Sequence, residues 1–268
     1  MLAFPIGSTA TAYGTSSRAQ ARRAVQRPLM DIVAPDGAIR NRLLSALSEE
    51  DLTSLRPHLE RVELQQRDPL FEQEAPIRYV YFPETAVASL VSNLADGATV
   101  EVGTAGCEGM AGLPVFLAGD MSSLRAFVQI PGVAMRVEAK AFGDLAQAPG
   151  PLHDILLRYT QAFLTQVAQT AACNGTHLVE QRCARWLLMT HDRVVGDSFP
   201  LTHEFLAFML GVRRAGVTVA MRSLQDAGMV DYTRGWVEIV DRTALEGASC
   251  ECYAVVRGHF DRLLPQGA

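Results

Sequence analysis

The sequence has few cysteines, and their arrangement argues against a disulfide framework. Only five occur among 268 residues, an odd number without regular spacing. They are Cys107, Cys173, Cys183, Cys250 and Cys252. Disulfide-stapled folds need paired cysteines, so we expect a reducing compartment, the cytoplasm. The chain also lacks an apolar run of transmembrane length, and residues 1–13 lack the basic start and apolar core of a secretory signal, so we expect no membrane association.

The patterns that mark common enzyme classes are missing as well. We find no nucleophile elbow, no His-Glu-x-x-His and no Walker A loop, so an enzyme is not expected. The formal net charge of −5 argues against indiscriminate nucleic-acid binding. Any contact with DNA must come from a local basic patch on a mildly repulsive background.

The most informative stretch is residues 199–241, where a helix pair precedes two short strands. The predicted elements are helices over 202–210 and 213–227 and strands over 229–232 and 236–240. Thr202 is placed to cap the first helix, and Gly211 ends it where a left-handed residue is needed. Gly228 ends the second helix, and residues 233–235 form the turn between the strands. This order predicts a winged helix-turn-helix.

The second helix of this unit carries a basic face. No acid occurs from Leu210 to Arg222. The apolar residues Val212, Val217, Met221 and Leu224 are spaced to form the buried side. Arginine reads guanine in the major groove and pairs with phosphates, whereas the alternative is an ordinary solvated helix face. The candidate DNA-contacting residues are Arg213, Arg214, Thr218, Arg222, Thr202 and Arg234.

The first half of the chain has a different pattern. Residues 1–38 are rich in small residues and arginine and are expected to form a flexible tail. Short helices are predicted over 40–47 and 49–56. A period of two then predicts many short strands between residues 60 and 137, with Gly, Pro, Asn and Asp between them. Residues 39–150 are therefore predicted to form an antiparallel β-roll or jelly roll.

A glycine-rich segment interrupts the predicted roll at residues 103–114. Its four glycines, Gly103, Gly106, Gly109 and Gly112, lie three residues apart. Free backbone N–H groups in such a turn can cradle an anion. The alternative is a tight corner of the roll where only glycine fits.

A long amphipathic helix is predicted over residues 151–174. Its apolar stripe is suited either to a seam between two subunits or to packing on its own domain, and the two-domain context favours the seam. The predicted dimer-interface residues are Leu152, Leu156, Tyr159, Phe163 and Val167. Residues 175–245 then form the predicted DNA-binding domain, and residues 246–268 a C-terminal extension.

These features together resemble the Crp/Fnr family of bacterial transcription regulators, over about residues 40–241. The resemblance rests on the β-roll, the turn Glu-Gly-Met-Ala-Gly-Leu-Pro at 108–114, the long helix, residues 180–188 and the winged unit. It implies an α+β fold with a cyclic-nucleotide-binding-like β-roll, a dimerisation helix and a C-terminal winged helix-turn-helix. It also implies a homodimer on a pseudo-palindromic DNA operator, with half-sites about one helical turn apart and RNA polymerase as a partner.

The resemblance also implies candidate effector residues. Glu108 and Gly109 match the family's ribose-binding position, although Cys107 separates Glu108 from the glycine before it. Arg125 and Ala126 resemble the end of the phosphate-binding Arg-Ser-Ala, but no hydroxyl residue stands between them. A displaced arginine does not ensure the same bidentate geometry, so the effector stays unassigned.

No metal centre is predicted. The iron–sulfur branch of the family uses cysteines near the N-terminus, and residues 1–106 contain none. Cys250-x-Cys252 with His259 is too short and irregular for a metal-binding pattern. Cys173 and Cys183 are expected to be small buried residues, with a thiol sensor as the alternative.

Two hypotheses remain open at this point. The first is a dimeric, sequence-specific transcription regulator. The second is a ligand-binding or protein-interaction module whose helix pair docks a partner without reading DNA. The face that carries Arg213 and Arg214 distinguishes them.

Overall fold

The computed structural model describes residues 39–95 and 97–264. The predicted tail over residues 1–38 lies outside the described residues. None of the helices in the described ranges is both long and apolar enough to cross a membrane.

A β-roll with short helices forms the first part of the described chain. Its elements are, in chain order, α1 (Arg42–Ser45), α2 (Glu49–Leu55), β1 (Glu60–Leu64), β2 (Pro69–Phe71), β3 (Tyr79–Pro83), β4 (Val87–Asn93), β5 (Thr99–Ala105), α3 (Leu113–Phe116), β6 (Arg125–Ile130), β7 (Gly132–Glu138) and α4 (Ala139–Ala146). All strand pairs are antiparallel, in sheets of order β1-β7-β3 and β2-β6-β4-β5. The predicted strands are confirmed, whereas α3 and α4 were not predicted.

The second part of the chain begins with a long helix and contains the helix pair. Its elements are α5 (Pro151–Thr176), α6 (Val179–His191), β8 (Ser198–Pro200), α7 (His203–Leu210), α8 (Arg214–Asp226), β9 (Val230–Thr233), β10 (Trp236–Ile239), α9 (Arg242–Ala248) and α10 (Cys252–Leu263). The three strands form a sheet of order β8-β10-β9. The sequence predicted β9 and β10, but β8 adds an unpredicted third strand at the start of the unit.

The apolar stripe of α5 packs on the chain's own roll, which corrects the prediction of a dimer face. Leu152, Leu156, Tyr159 and Phe163 are buried in one hydrophobic core with residues of the roll, and Val167 packs against the same core. Tyr159 also donates a 2.8 Å hydrogen bond to the carbonyl of Met110. The physical reason is that the broadest apolar face of a helix is buried first against its own sheet.

A different stripe of α5 remains exposed. It consists of Leu157, Gln161, Leu164, Ala168 and Ala171, at spacings of four and three residues. Leu157 is 50% exposed and Leu164 61% exposed. This alternation is the heptad spacing of a helix–helix seam, with small residues towards its C-terminal end.

The last helix belongs to the core of the roll. Val256, Phe260 and Leu264 are buried in the same core as Tyr159, and the rings of Phe260 and Tyr159 lie 6.3 Å apart. The C-terminal extension is therefore a structural element that covers α5. The spacing of its apolar residues is that of a helix with one buried face, but the sequence does not reveal which element that face packs against.

A second hydrophobic core joins the helix pair to one face of the roll. It contains Val87, Phe127, Trp186 and Phe205 among others. The rings of Phe127 and Phe205 meet edge to face at 6.4 Å. Strands of the roll thus bury apolar side chains directly against α6 and α7.

Candidate nucleic-acid interface

The helix pair has the capping and turn chemistry that the sequence predicted. Thr202 Oγ1 accepts a 3.1 Å hydrogen bond from the backbone N–H of Phe205 and so caps α7. Gly211 ends α7 in the left-handed region at φ 61°. Glycine adopts this conformation without the Cβ clash that other residues meet, and the chain can turn sharply into α8.

Helix α8 is clearly two-faced. Val217, Ala220, Met221 and Leu224 are buried in the core of the unit. The opposite face is exposed and carries Arg214, Thr218, Val219 and Arg222, preceded by the exposed N-cap residue Arg213. Val212 was expected on the buried side and is half-buried, because it lies before the helix begins.

The exposed arginines are available for a ligand. Within the described residues, neither Arg213 nor Arg214 has an ion-pair partner. Arg222 makes only a 3.7 Å contact with Asp226 at the surface. Such an exposed pair contributes about 0–1 kcal/mol and is easily exchanged for a phosphate.

The hairpin lies next to the start of α7. Arg234 and Gly235 form its two-residue turn, with φ of 52° and 82°. Positive φ at both positions is what the type I′ hairpin turn requires. The carbonyl of Gly235 accepts a 2.9 Å hydrogen bond from Leu201 N, so Arg234 and Thr202 are held near one another. Thr202 Oγ1 accepts the capping hydrogen bond, and its own O–H can still donate one to a ligand.

His203 joins the three parts of the unit, a role that the sequence did not reveal. Its Nδ1 lies 3.1 Å from Thr218 Oγ1 on α8, and its ring stacks on Tyr232 of β9 at 4.4 Å. Thr218 in turn donates to the carbonyl of Arg214 at 3.1 Å, so its hydroxyl is already engaged. Burial, followed by the charge of Arg214, lowers the pKa of His203 and favours the neutral ring at neutral pH.

A buried ion pair connects the roll to the end of α6. Arg193 donates from Nε to Glu108 Oε1 at 2.9 Å, and its Nη2 lies 2.8 Å from the same oxygen. Arg193 also donates to the carbonyl of Met189 and to Gln166 Oε1 of α5. Three elements therefore meet at one guanidinium beside the glycine-rich turn.

A polar network forms a second connection between the roll and α6. Trp186 donates from Nε1 to Glu101 Oε1 at 3.0 Å, and Gln129 donates to Thr190 Oγ1 at 3.0 Å. Between them, Ser89 Oγ lies 2.6 Å from Glu101 Oε2 and 2.8 Å from Gln129 Oε1. A hydroxyl has one hydrogen, so the network is fully satisfied when Glu101 is protonated and donates to Ser89. Burial raises the pKa of Glu101 to about 7, against the lowering effect of these hydrogen bonds.

The glycine-rich turn is shaped by close packing. A Cβ at Gly103 would lie 2.9 Å from Phe163, one at Gly106 2.6 Å from Arg193, and one at Gly109 2.5 Å from Tyr159. These contacts are too short for any larger residue without a shift of its neighbour. The geometry favours the tight-corner alternative, because the space beside these glycines is filled by side chains of the protein.

The predicted effector residues have separate partners. Glu108 is engaged by Arg193, and Gly109 packs on Tyr159. Arg125 forms a 3.0 Å ion pair with Glu72 and stacks over Phe127, while Ala126 is fully buried. No hydrogen bond or ion pair between Glu108 and Arg125 occurs among the described residues.

Three cysteines and one histidine come together at the end of α5 and the start of α10. Cys173, His177, Cys250 and Cys252 place one ligand atom each within 4.8 Å of all the others. His259, which the sequence set beside Cys250 and Cys252, instead faces Thr165 and Arg262. Cys183 is buried in the core of the helix pair. These four residues are a candidate set of metal ligands, and the sequence had associated Cys250 and Cys252 with His259 instead.

Comparison with known proteins agrees with this architecture. Residues 181–248 match the family model of the Crp-like helix-turn-helix domain. No match was found among curated proteins.

Solved structures share the fold over most of the chain. FixK2 from Bradyrhizobium japonicum has a TM-score of 0.62 at 18% identity, covering 72% of this chain and 98% of its own. TTHB099 from Thermus thermophilus, a CRP-family transcriptional regulator, has a TM-score of 0.59 at 19% identity, covering 72% and 99%. The c-di-GMP-responsive regulator CLP from Xanthomonas campestris has a TM-score of 0.55 at 15% identity, also covering 72% and 99%.

The domain match covers the capped helix pair, the exposed basic helix and the hairpin, and the shared fold extends through the roll and the long helix. Residues 181–248 therefore form a Crp-like helix-turn-helix domain, and the chain has the fold of Crp/Fnr transcription regulators.

Proposed function

We propose that the protein is a transcription regulator that acts in the cytoplasm as a homodimer. The homodimer binds a pseudo-palindromic operator and contacts RNA polymerase there, and it has no catalytic activity. The observation that carries the proposal is the exposed face of α8, where Arg213, Arg214 and Arg222 surround Val219. The opposite face of the same helix is fixed in the core.

The chemistry of this face suits the major groove. Arg214 and Arg222 are long enough to reach guanine O6 and N7, and Val219, which is 71% exposed, suits the methyl group of thymine. Arg213 is the N-cap of α8, Thr202 is the N-cap of α7, and Arg234 is in the hairpin turn. They are placed to contact phosphates and set the orientation of the domain. Thr218 is held by His203 and Arg214, so its role is to orient the face.

The exposed stripe of α5 supports the dimer. Leu157 and Leu164 are large apolar side chains in water at heptad spacing, and Ala168 and Ala171 allow close approach of a second helix. A second copy of this chain carries the same stripe and is self-complementary about a two-fold axis. Such a dimer places two copies of α8 for two operator half-sites.

An effector bound in the β-roll would modulate DNA binding through the Glu108–Arg193 contact. Glu108 belongs to the roll, whereas Arg193 follows the C-cap of α6, the first helix of the DNA-binding domain. Operator affinity measured with and without cyclic nucleotides tests this part. Equal affinities would contradict regulation by those ligands and leave the DNA-binding proposal intact.

The test of the main proposal starts with selection of bound sites from random DNA by the full chain. We expect an inverted repeat. The double variant Arg213→Ala/Arg214→Ala should then weaken binding to the selected operator, as measured by fluorescence anisotropy. The slope of log affinity against log salt should fall by about one for each arginine–phosphate interaction that the variant removes.

A matched control removes the same charge elsewhere. Arg56 and Arg61 are exposed on the roll, so the double variant Arg56→Ala/Arg61→Ala should bind as the native chain does. If the α8 variant and this control bind equally well, α8 does not read DNA. The interaction-module hypothesis would then be favoured.

A further inference from the structure

A cluster of metal-ligand side chains lies where the long helix meets the DNA-binding domain. Cys173 is in the last turn of α5, and His177 is the residue at which that helix ends. Cys252 is the first residue of α10, and Cys250 lies two residues before it. None of its four residues is on α8 or in the hairpin, and none is among the candidate DNA-contacting residues.

Two distances within the cluster match those between the ligand atoms of a single tetrahedral ion. Cys173 Sγ lies 3.5 Å from Cys250 Sγ, and Cys252 Sγ lies 3.6 Å from His177 Nδ1. Zinc bound at about 2.3 Å to sulfur and about 2.0 Å to nitrogen sets its ligand atoms roughly 3.5–3.8 Å apart. An iron–sulfur cluster has several atoms between its cysteines and needs a wider arrangement.

The surroundings of His177 are those of a metal ligand. Its Nδ1 faces the cysteines, and its Nε2 lies 3.3 Å from the carboxylate of Glu251. A metal-bound histidine usually donates its second ring N–H to such a carboxylate, which fixes the tautomer and leaves the other nitrogen free to bind the ion. Glu251 stands between Cys250 and Cys252, so one short segment supplies two thiols and this support.

The three cysteines are buried in a small cluster of their own, while His177 is half-buried. A disulfide between Cys173 and Cys250 would require their sulfurs to approach to about 2.05 Å. It would also leave Cys252 and His177 without a role.

We propose that Cys173, His177, Cys250 and Cys252 form a zinc(II) site. Three thiolates and one imidazole are a common donor set of structural zinc sites. Bound zinc ties the end of α5 to the start of α10 at the point where α6 begins. It therefore fixes the joint between the β-roll and the DNA-binding domain.

The test uses the full chain, purified under reducing conditions, stripped with a chelator and titrated with zinc alone. We expect one zinc per chain by elemental analysis. The melting temperature should rise with zinc concentration. Cobalt(II) should give the visible absorption of a tetrahedral thiolate complex.

Two variants and a matched control complete the test. Cys250→Ser should lose stoichiometric zinc, whereas Cys183→Ser, which removes another buried cysteine, should retain it. Glu251→Gln alters an exposed side chain and leaves every ligand in place, so it serves if Cys250→Ser does not fold. We expect it to bind zinc about 10- to 100-fold more weakly in chelator competition.

The proposal is overturned if the native chain holds no zinc after titration. It is equally overturned if Cys183→Ser loses zinc as Cys250→Ser does, or if Glu251→Gln binds zinc as tightly as the native chain. A mass two hydrogens lower in the absence of reductant, mapped to Cys173 and Cys250, would assign the pair to a disulfide instead.

Discussion

The carboxylate of Glu108 and the guanidinium of Arg193 form a buried ion pair, with both side chains less than a tenth exposed. The pair joins the glycine-rich turn of the roll to the residue that follows α6 and its C-cap. Gly106 permits this contact, because a Cβ there would collide with the aliphatic part of Arg193.

Removing one partner of this pair should destabilise the protein strongly. Arg193→Met leaves the Glu108 carboxylate buried without its counter-charge, and we expect a loss of about 3–5 kcal/mol in the free energy of unfolding. Urea unfolding measures this loss.

The control for that experiment is another arginine–glutamate pair. Arg136 contacts Glu60 at 2.8 Å, but both side chains are partly exposed. Arg136→Met should therefore cost about 0–1 kcal/mol. Equal losses for the two variants would show that burial does not set the strength of the Glu108–Arg193 pair.

Stability should depend on pH through Glu101. Its pKa is raised to about 7 in the folded chain from an ordinary 4.5, so the folded state holds a proton that the unfolded state releases. The stability that this proton contributes is fully present below pH 4.5 and is lost as the pH rises towards about 7. Its full size is roughly 3 kcal/mol, at about 1.4 kcal/mol per pKa unit.

Glu101→Gln should remove the part of the slope of unfolding free energy against pH that Glu101 causes, because an amide does not titrate. The quantity to measure is the difference in unfolding free energy between the variant and the native chain, at several pH values between 4.5 and 7. The exposed Glu180→Gln should leave the slope unchanged. A Glu101→Gln difference that is constant with pH would contradict the raised pKa.

The exposed stripe of α5 predicts how the dimer can be broken. Leu164→Glu places a charge in the proposed seam, so sedimentation should find a folded monomer with weaker operator binding. The monomer should fold because Leu164 is 61% exposed and contributes little to the chain's own core.

Leu94→Glu is the matched control, since Leu94 is 50% exposed in the turn after β4. It should leave the oligomeric state unchanged. A Leu164→Glu protein that sediments as a dimer would place the subunit interface elsewhere.

The last helix should contribute to stability as a core element. Phe260 packs on Tyr159 and is 4% exposed, so Phe260→Ala should cost about 3–5 kcal/mol in unfolding free energy. Val255, on the same helix, is 36% exposed, and Val255→Ala should have a small effect. Similar values for both would mean that α10 is only loosely attached to the roll.

Local patterns alone determined much of this protein. The cap at Thr202, the left-handed Gly211 and the turn at Arg234 and Gly235 are set by residues close together in the chain. Alternating apolar residues identified the strands of the roll for the same reason, since the period of a strand is a local property. The two faces of α8 follow from its own spacing.

Tertiary structure decided which surfaces are used. Sequence spacing identified an apolar stripe on α5, but only packing against the roll distinguished the buried stripe from the exposed one at Leu157 and Leu164. Glu108 and Arg193 are 85 residues apart, and Cys173 and Cys250 are 77 apart. No local period relates such pairs, because their contact depends on how the long helix, the roll and the last helix fold together.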